Sequence, residues 1–302
     1  MLHRYGSVAV QLATRLLAMR PGDRIDSIGQ LAADFQTGRG TVQTALRLLT
    51  KEGAVELETR GSLGSYIRSL DQDRLLTVSG LSPIIGVMAV TYSRRFQGLA
   101  AGLTRAFEQA KLPLVLAHLR GGKNRLHFLR TGRCDFAVIS RLAWQEEQGV
   151  GDLELRLSFG PGSNVGDHVL VLASPQAKGI VDGMKVGVDP SSSDHMHLTL
   201  EECRGKAVRL VEISYAQALP KLQAGEIDAT VWDSGVPLPA SLGLAIAPRE
   251  RRDPSGDPDT EAVLVTRSQA GPLGDLIHRR VEPGLVAEVQ RRVLAGEEFP
   301  IF

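Results

Sequence analysis

Hydrogen-bond donors cluster on one face of a segment in the first quarter of the chain. Residues 37–52, TGRGTVQTALRLLTKE, repeat apolar side chains at helical spacing, which predicts an inward face of Val42, Ala45, Leu46 and Leu49. The opposite face carries donors suited to base edges and phosphates, as on a helix that enters the major groove. These donors are Arg39, Thr41, Gln43, Thr44, Arg47 and Lys51. The pattern predicts DNA recognition, although the solvated face of an ordinary amphipathic helix shows the same pattern.

The segments on either side supply the elements that would position this helix. Upstream, residues 27–34 predict a short helix capped by Ser27, and residues 35–38 predict a tight turn that contains glycine. Downstream, residues 54–67 predict two strands joined by a glycine-rich tip. Helix, turn, helix and hairpin in this order make a winged helix. Its tip adds two candidate DNA contacts, Arg60 and Ser62.

This run resembles the DNA-binding domain of the GntR family. The residues that carry the resemblance are Ser27 with Leu31-Ala32, Thr41-Val42 with Ala45-Leu46, Gly53, Arg60-Gly61 and Gly64-Ser65-Tyr66. The resemblance implies that residues 1–70 bind double-stranded DNA. Because a single small winged helix makes few contacts, we expect a homodimer on a pseudo-palindromic operator.

Length and composition limit the classes of protein to which the chain can belong. A chain of 302 residues predicts about two domains, and a net charge of +1 means that DNA binding must depend on local charge. The two cysteines, Cys134 and Cys203, predict no disulfide framework, which fits a reducing cytoplasm. Neither a signal peptide nor an apolar run of ~20 residues is evident. We therefore expect a cytoplasmic protein with no membrane partner.

The second predicted domain begins after a short linker at residues 71–82 and spans residues 83–302. Strand-like apolar runs at 84–90, 114–117 and 136–139 alternate with helical segments, which predicts an α/β fold with open, parallel sheets. Residues 249–259, rich in proline and charge, predict an exposed loop.

An internal repeat divides this domain into two lobes. Residues 129–138 align with residues 222–231, each a helix end, a glycine turn, an aspartate and a strand. Ile85-Gly86-Val87 aligns in the same way with Val186-Gly187-Val188. The repeat predicts lobe 1 at about 83–170 plus 262–302 and lobe 2 at about 171–261. Strands at 167–173 and 262–266 would cross between the lobes and form a hinge.

This layout resembles the two-lobed, type 2 periplasmic-binding-protein fold used as an effector domain. The closest resemblance is to the YhfZ family, in which a GntR-like winged helix precedes such a domain. It is carried by Tyr92 with Arg94, Gly98-Leu99-Ala100, Ala117-His118 with Arg120-Gly121, Ser140-Arg141-Leu142-Ala143, Val165-Gly166 with His168, Ser214-Tyr215 and Trp232. The resemblance implies an architecture and no particular ligand.

Polar residues follow the strands of both predicted lobes, where open α/β sheets bind ligands. In lobe 1 they are Tyr92, Ser93, Arg94, His118, Arg120, Ser140 and Arg141. In lobe 2 they are Asp189, Ser191, Ser192, Ser193, Ser214, Tyr215, Trp232 and Asp233. We expect Arg94, Arg120 and Arg141 to converge on a small anionic metabolite, a carboxylate or a phosphate ester, opposite a serine-rich helix N-terminus. Alternatively, these arginines pair with Asp135, Asp167 or Glu146 and bind nothing.

The sequence offers little for catalysis or metal binding. His195 and His197 are two residues apart and would point to different sides of a helix, and no paired-cysteine, HExxH, GxSxG or phosphate-loop pattern occurs. No acid–base pair of carboxylates follows the strands. We therefore predict a ligand-responsive transcriptional regulator without a cofactor or metal, and not an enzyme. The alternative is an enzyme or solute-binding protein that uses the winged helix as an interaction module.

Overall fold

The computed structural model describes residues 4–80, 83–250 and 258–302. These residues form two compact units. The N-terminal unit comprises Met1–Ile84 and Ala270–Val281, and the two-lobed unit comprises Ile85–Gln269 and Glu282–Phe302. The expected assignment of residues 262–302 to lobe 1 is therefore wrong for residues 270–281, which pack with the N-terminal unit.

The N-terminal unit is a winged helix-turn-helix followed by a further helix. Its elements are α1 (Arg4–Leu17), α2 (Ile28–Asp34), α3 (Arg39–Lys51), β1 (Val55–Thr59), β2 (Ser65–Leu70) and α4 (Gln72–Ser79). Ser27 caps α2 by accepting a hydrogen bond from the Gln30 backbone N–H. Strands β1 and β2 pair antiparallel, and a short turn at Gly61–Leu63 joins them. The predicted winged helix is confirmed.

The expected linker at residues 71–82 is largely helical. Asp71 caps α4 by accepting a hydrogen bond from the Arg74 backbone N–H at 3.0 Å, and Leu75 is fully buried. The prediction of a linker did not take account of Asp71 as a helix cap. This helix extends the core of the N-terminal unit.

The two-lobed unit contains two five-stranded sheets. Lobe 1 has the strand order β4-β3-β5-β12-β6, and lobe 2 has the order β11-β7-β10-β8-β9. The strands are β3 (Ile84–Met88), β4 (Leu114–His118), β5 (Phe136–Ser140), β6 (Leu153–Ser158), β7 (His168–Leu172), β8 (Lys185–Val188), β9 (Arg209–Glu212), β10 (Ala229–Asp233), β11 (Ala245–Pro248) and β12 (Ala262–Arg267). The helices of this unit are α5 (Arg94–Gln109), α6 (Gly122–Arg130), α7 (Arg141–Glu147), α8 (Ser193–Glu202), α9 (Ala218–Gln223) and α11 (Pro283–Ala295), whereas α10 (Gly271–Arg280) belongs to the N-terminal unit.

Both sheets are mixed, whereas the sequence predicted parallel sheets. Strands β3 and β5 pair parallel, as do β8 and β10, but β12 is antiparallel to β5 and β7 is antiparallel to β10. The antiparallel strands are those that the chain forms first after it crosses from one lobe to the other. These strands, β7 in lobe 2 and β12 in lobe 1, run antiparallel to their neighbours. This places β7 entirely in the sheet of lobe 2, so the predicted boundary at about residue 170 is also too late.

The internal repeat is confirmed as helix end, glycine turn, aspartate and strand. Gly132 and Gly225 adopt φ values of 72° and 68°, which favour glycine. The carboxylate of Asp135 accepts a hydrogen bond from the Ile85 N–H at 2.9 Å, and the carboxylate of Asp228 accepts one from the Lys185 N–H at 2.7 Å. Ile85 thus corresponds to Lys185, and the sequence alignment with Val186 was shifted by one residue.

The predicted exposed loop at 249–259 is wrong at both of its described ends. Arg249 is 4% exposed and lies with its Nε 3.3 Å from Oε1 of the fully buried Glu202, and Asp259 is 1% exposed. Residues 251–257 lie outside the described residues. Charged composition predicted exposure here because a buried ion pair between distant segments leaves no local sequence pattern.

No helix among the described residues is long and apolar enough to cross a lipid bilayer. The same residues contain no group of three or more histidines, cysteines or acidic residues arranged to hold a metal ion.

Candidate functional site

A small cavity lies between the two lobes, at the carboxyl ends of their strands. Its volume is about 90 Å³, small beside the roughly 300–1,000 Å³ of typical ligand pockets. Six of the predicted ligand residues line it, namely Tyr92, Arg120, Asp189, Ser192, Tyr215 and Asp233. Four charged or titratable residues that were not predicted also line it, namely Arg125, His168, Asp194 and His195.

Direct contacts between the lobes close this cavity. Arg120 of lobe 1 donates a hydrogen bond to the Ser214 hydroxyl of lobe 2, and Ser140 of lobe 1 donates one to Asp194 of lobe 2. Gly121 approaches Ser191 so closely that a Cβ at Gly121 would lie 2.6 Å from the serine Oγ. The lobes therefore meet face to face, with room only for a small ligand between them.

The predicted convergence of three arginines does not occur. Arg120 lines the cavity, but Arg94 donates to the Val293 carbonyl at 3.0 Å. Arg141 forms a two-pronged ion pair with Glu261, with its Nη2 2.6 Å from Oε1. Helix α5 directs Arg94 towards α11, and Glu261 at the start of β12 holds Arg141 beside its own sheet. The alternative prediction, that these arginines pair with acidic residues, is confirmed for Arg141. Its partner is Glu261 and not one of the three acidic residues predicted.

Arg125 replaces them on the lobe 1 wall of the cavity. It is 8% exposed, and it donates to the Val138 carbonyl at 2.9 Å through Nε and to the Leu119 carbonyl at 3.0 Å through Nη1. Burial lowers the pKa of its guanidinium, while Asp194 opposes that shift. A signal for it was present in the sequence, since Arg125 shares the apolar helical stripe of Leu126 and Leu129.

Most of the predicted serines serve the local structure. Ser93, Ser140 and Ser192 are the N-caps of α5, α7 and α8. Ser191 donates its hydroxyl hydrogen to Asp189 at 2.6 Å, and Ser193 is buried as the first residue of α8. Ser192 both caps α8 and lines the cavity.

Aromatic side chains form a stack that reaches the cavity from lobe 2. The rings of Tyr215 and Trp232 stack with centroids 4.6 Å apart, and Tyr92 of lobe 1 continues the stack at 6.0 Å from Tyr215. The Trp232 indole donates to the Val236 carbonyl at 3.2 Å, and Trp232 itself lies behind Tyr215. His118 contacts Phe302 and the Ala89 carbonyl rather than the cavity.

Three carboxylates line the cavity, in different states of hydrogen bonding. Asp189 accepts hydrogen bonds from the Ser191 N–H and hydroxyl and from the Tyr215 N–H. Burial alone would raise its pKa, but these hydrogen bonds outweigh burial and the pKa lies below its ordinary value. Asp194 accepts from Ser140, and burial raises its pKa to about 6.

Asp233 differs from the other two because one of its oxygens is buried without a partner among the described residues. Oδ1 accepts a hydrogen bond from the Gly235 N–H at 2.8 Å, while the buried Oδ2 has no hydrogen-bond partner among the described residues. Burial raises the pKa of this carboxyl group. Burying a carboxylate oxygen without a hydrogen bond costs free energy. A bound ligand could supply the partner that the described residues do not.

Two buried histidines complete the wall. The Nδ1 of His195 accepts a hydrogen bond from the Asp189 N–H at 3.0 Å, and its Nε2 lies 3.1 Å from the Val231 carbonyl. Burial lowers the pKa of His195 to about 4, so the ring is neutral near pH 7 with its hydrogen on Nε2. His168 lies at the crossover with Nδ1 2.8 Å from Oδ2 of Asp259.

The candidate DNA-binding residues lie in the N-terminal unit. Helix α3 buries Val42, Ala45 and Leu49 and half-buries Leu46, which the sequence had placed fully inward. Its exposed side chains are Arg39, Gln43, Thr44, Arg47 and Lys51, and Thr41 is half-buried. The exposed face is therefore the donor-rich face.

Both wing residues that were predicted lie at or beside the tip of the hairpin. The Arg60 guanidinium lies 4.5 Å from the centroid of the Tyr66 ring and pairs with Glu58 at 3.0 Å. Ser62 is exposed in the turn Gly61–Leu63. The wing thus presents an arginine that its own strand already neutralises in part.

Known proteins resemble the chain in both units. The sequence profile of the YhfZ C-terminal domain matches residues 71–302, and a helix-turn-helix domain profile matches residues 20–67. The YhfZ protein of Escherichia coli (strain K12) is 32% identical over 302 residues, which cover 100% of this chain and 98% of that protein.

Solved structures with similar folds agree. YhfZ from Shigella flexneri is 31% identical with a TM-score of 0.64, over 76% of this chain and 97% of that chain. An ancestral arginine-binding protein is 13% identical with a TM-score of 0.54, over 72% of this chain and 99% of that chain, a likeness of fold alone. With its helix-turn-helix domain and its periplasmic-binding-protein-like effector domain, this chain belongs to the YhfZ family.

Proposed function

We propose that the protein is a ligand-responsive transcriptional regulator that binds double-stranded DNA through α3 and the wing. The observation that carries the proposal is the pairing, in one chain, of an exposed donor face on α3 with a two-lobed cleft that buries charged side chains. Neither feature is needed to stabilise the fold, because exposed donors contribute little to stability and burying charges costs free energy. The proposed activity is binding and not catalysis. The proposed partner is DNA, and the proposed location is the cytoplasm.

The proposed DNA complex is a homodimer on a pseudo-palindromic operator, because a single small winged helix makes few contacts. Arg39, Gln43 and Arg47 would face base edges or phosphates in the major groove, and Arg60 and Ser62 would contact phosphates from the wing. Thr41, Thr44 and Lys51 complete the proposed contact set. Two winged helices double the number of phosphate contacts, which compensates for the nearly neutral net charge.

The proposed ligand is a small metabolite that carries an anionic group, held between the lobes. Arg120 and Arg125 are the arginines that line the cavity, and Arg125 is positioned by two backbone carbonyls that leave its remaining Nη free to donate. Of the other predicted ligand residues, Tyr92, Asp189, Ser192, Tyr215 and Asp233 remain proposed contacts because they line the same cavity.

Ligand binding would act on DNA binding through closure of the lobes. The chain crosses between the lobes at residues 159–167 and again between β11 and β12, a connection typical of hinged domains. A ligand that binds the closed state more tightly than the open state shifts the population towards closure. In a dimer, that shift would change the spacing of the two recognition helices.

The DNA-binding part is tested by operator selection from a random duplex library with the full chain. We expect an enriched pseudo-palindrome, a loss of roughly 1–3 kcal/mol for Arg39→Ala and relaxed specificity at one base position. Arg68→Ala is the matched control, because Arg68 is exposed in the same unit and pairs with Glu56 at 3.0 Å. No enriched motif, or equal losses for both variants, would contradict the proposal.

The ligand part is tested with a panel of carboxylates and phosphate esters. We expect at least one to raise the melting temperature of the full chain and to change its affinity for the selected operator. Arg120→Gln should weaken that response, whereas Arg133→Gln, an exposed arginine of the same lobe, should not. If no anion alters operator binding, the proposed regulation is wrong.

A further inference from the structure

We propose that the ligand also carries a cationic nitrogen, recognised by Asp233, so that the cleft is built for a small amino-carboxylate. This inference rests on the proposed ligand site between the lobes and names its ligand class. Its starting point is the carboxylate of Asp233, which is 3% exposed, lines the cavity and leaves Oδ2 without a partner among the described residues.

The charges on the cavity wall do not suit a ligand that is only an anion. Three aspartates line the cavity, namely Asp189, Asp194 and Asp233, against two arginines, Arg120 and Arg125. The two histidines do not change this balance, because His195 is neutral near pH 7 and His168 lies beside Asp259. A pure anion would therefore enter an acidic cleft, whereas a ligand with one anionic and one cationic group would satisfy both walls.

Of the three aspartates, Asp233 is the one with a buried oxygen that has no hydrogen-bond partner among the described residues. The Asp189 carboxylate is saturated by Ser191 and Tyr215, and Arg120 Nη2 lies 3.6 Å away from it. Asp194 bridges the lobes by accepting from Ser140. Asp233 uses only one oxygen among the described residues, so Oδ2 can accept a hydrogen bond from an ammonium group.

The surroundings of Asp233 are also those of a cation site. The Tyr215 hydroxyl accepts a hydrogen bond from the Asp233 backbone N–H at 2.9 Å, which fixes the ring beside the carboxylate. The rings of Tyr92 and Tyr215 line the same cavity, with their centroids 6.0 Å apart. Asp233 and both arginines line the same cavity as Tyr92, so the acidic and basic groups surround one small space.

Matched pairs of probes test this inference on the full chain. Each of the common amino acids, β-alanine and 4-aminobutyrate is compared with the carboxylate of the same skeleton that lacks the amino group, by thermal shift and by calorimetric titration. We expect at least one amino acid to bind at least tenfold more tightly than its deaminated partner. This comparison uses only the wild-type protein and needs no variant to fold.

Asp233→Asn then assigns the preference to its residue. We expect this variant to lose at least tenfold of the discrimination between the two members of the pair. The matched control is Asp228→Asn, which makes the same change just before the other end of β10, where the carboxylate accepts from the Lys185 N–H. Asp228→Asn should keep the discrimination.

Several results would overturn the inference. These are a deaminated partner that binds as tightly as the amino acid, an Asp233→Asn variant that keeps the preference, or a panel in which no amine-bearing probe binds. If phosphate esters or dicarboxylates change operator binding while amino acids do not, the proposed function stands and this inference fails. If an amino acid binds through Asp233 without changing operator binding, this inference stands and the proposed regulation fails.

Discussion

Burial shifts the pKa values of Asp194 and His195, two adjacent residues at the start of α8, in opposite directions. Burial raises the pKa of Asp194 from 3.8 to about 6 and lowers that of His195 from 6.5 to about 4. Between pH 4 and 6 the folded protein holds a proton at Asp194 that the unfolded chain has released, so this residue makes stability fall as pH rises. Over the same range the unfolded chain protonates His195 and the folded protein does not, so His195 makes stability rise with pH.

These opposing contributions give a prediction for single variants. In the wild type they cancel in part, each being on the order of 2 kcal/mol. In Asp194→Asn the His195 contribution is unopposed, and we expect the free energy of unfolding to rise from pH 4.5 to pH 6. In His195→Asn we expect it to fall over that range. Denaturant titrations at several pH values measure both slopes, and identical slopes in the two variants would contradict the prediction.

Arg141 is predicted to contribute to stability and not to ligand binding. Arg141→Ala leaves the largely buried Glu261 with Ser158 as its remaining side-chain partner, and an uncompensated acceptor costs roughly 1–3 kcal/mol. We expect a lower melting temperature with an unchanged shift on ligand addition. Arg133→Ala, at an exposed site of the same lobe, should lose less than about 0.5 kcal/mol. If Arg141→Ala lost the ligand response, this prediction would be wrong and Arg141 would be a ligand contact.

Cavity residues that follow strands were predicted from the sequence, whereas Arg125 on α6 was not, because the sequence indicates its burial but not its place in the cavity. Arg120, Asp189 and Asp233 were predicted because a polar residue after an apolar strand lies at the sheet edge where ligands bind. Arg125 was missed because its place in the cavity depends on how α6 packs against β5. The pairing of Arg141 with Glu261 joins residues 120 positions apart, and local patterns contain no information about such contacts.

At the scale of elements, the wing holds its proposed DNA contact, Arg60, in contacts within the hairpin. Arg60 is held over Tyr66 and paired with Glu58, whose pKa this arginine lowers through a hydrogen bond. On binding, a phosphate would have to replace the Glu58 carboxylate, which would also repel the DNA.

Glu58→Gln is therefore expected to strengthen DNA binding, whereas Arg60→Ala is expected to weaken it. Both effects should be similar for all DNA sequences, because phosphate contacts do not read bases. Arg60→Ala should also reduce the salt dependence of the affinity, with a slope shallower by about one. Fluorescence anisotropy at several salt concentrations measures both. Unchanged affinity in both variants would exclude Arg60 as a contact.

At the scale of elements, periodicity predicted helices and strands better than it predicted their pairing. Helix α5 confirms one of the helical segments predicted between the strands, because its apolar stripe is continuous. The antiparallel pairing of β7 and β12 was missed, since strands inserted after a crossover have the same apolar composition as parallel neighbours.

At the scale of the whole molecule, Gly121 permits the lobes to close. Its φ is +78°, and an added Cβ would meet both the Oγ and the carbonyl oxygen of Ser191. Gly151 of the same lobe has a φ of +73° with no atom within 4 Å of the added Cβ. The two glycines therefore share the same backbone cost of substitution, about 1–2 kcal/mol, and differ in the contact between lobes.

Gly121→Ala is predicted to hold the lobes apart and to weaken ligand binding, while Gly151→Ala should affect stability alone. Spin labels at Val115 of lobe 1 and Leu210 of lobe 2, both exposed on edge strands, report the separation. The native cysteines are buried, which favours labelling at the introduced sites. Equal distances in the two variants would show that Ser191 does not limit closure.

The return of α10 to the N-terminal unit has a consequence for genetic dissection of the protein. Leu276 and Ile277 of α10 are fully buried, and Arg279 and Arg280 donate to the Ala18 carbonyl and to Gln72. A gene truncated after codon 84 would encode every residue proposed to contact DNA, yet the fragment would lack one wall of its core. We expect that fragment to melt well below the intact protein, and to recover when codons 270–281 are fused behind it. Loss of operator binding in such a truncation would thus report a missing helix from the far end of the gene, and would be misread as a need for ligand.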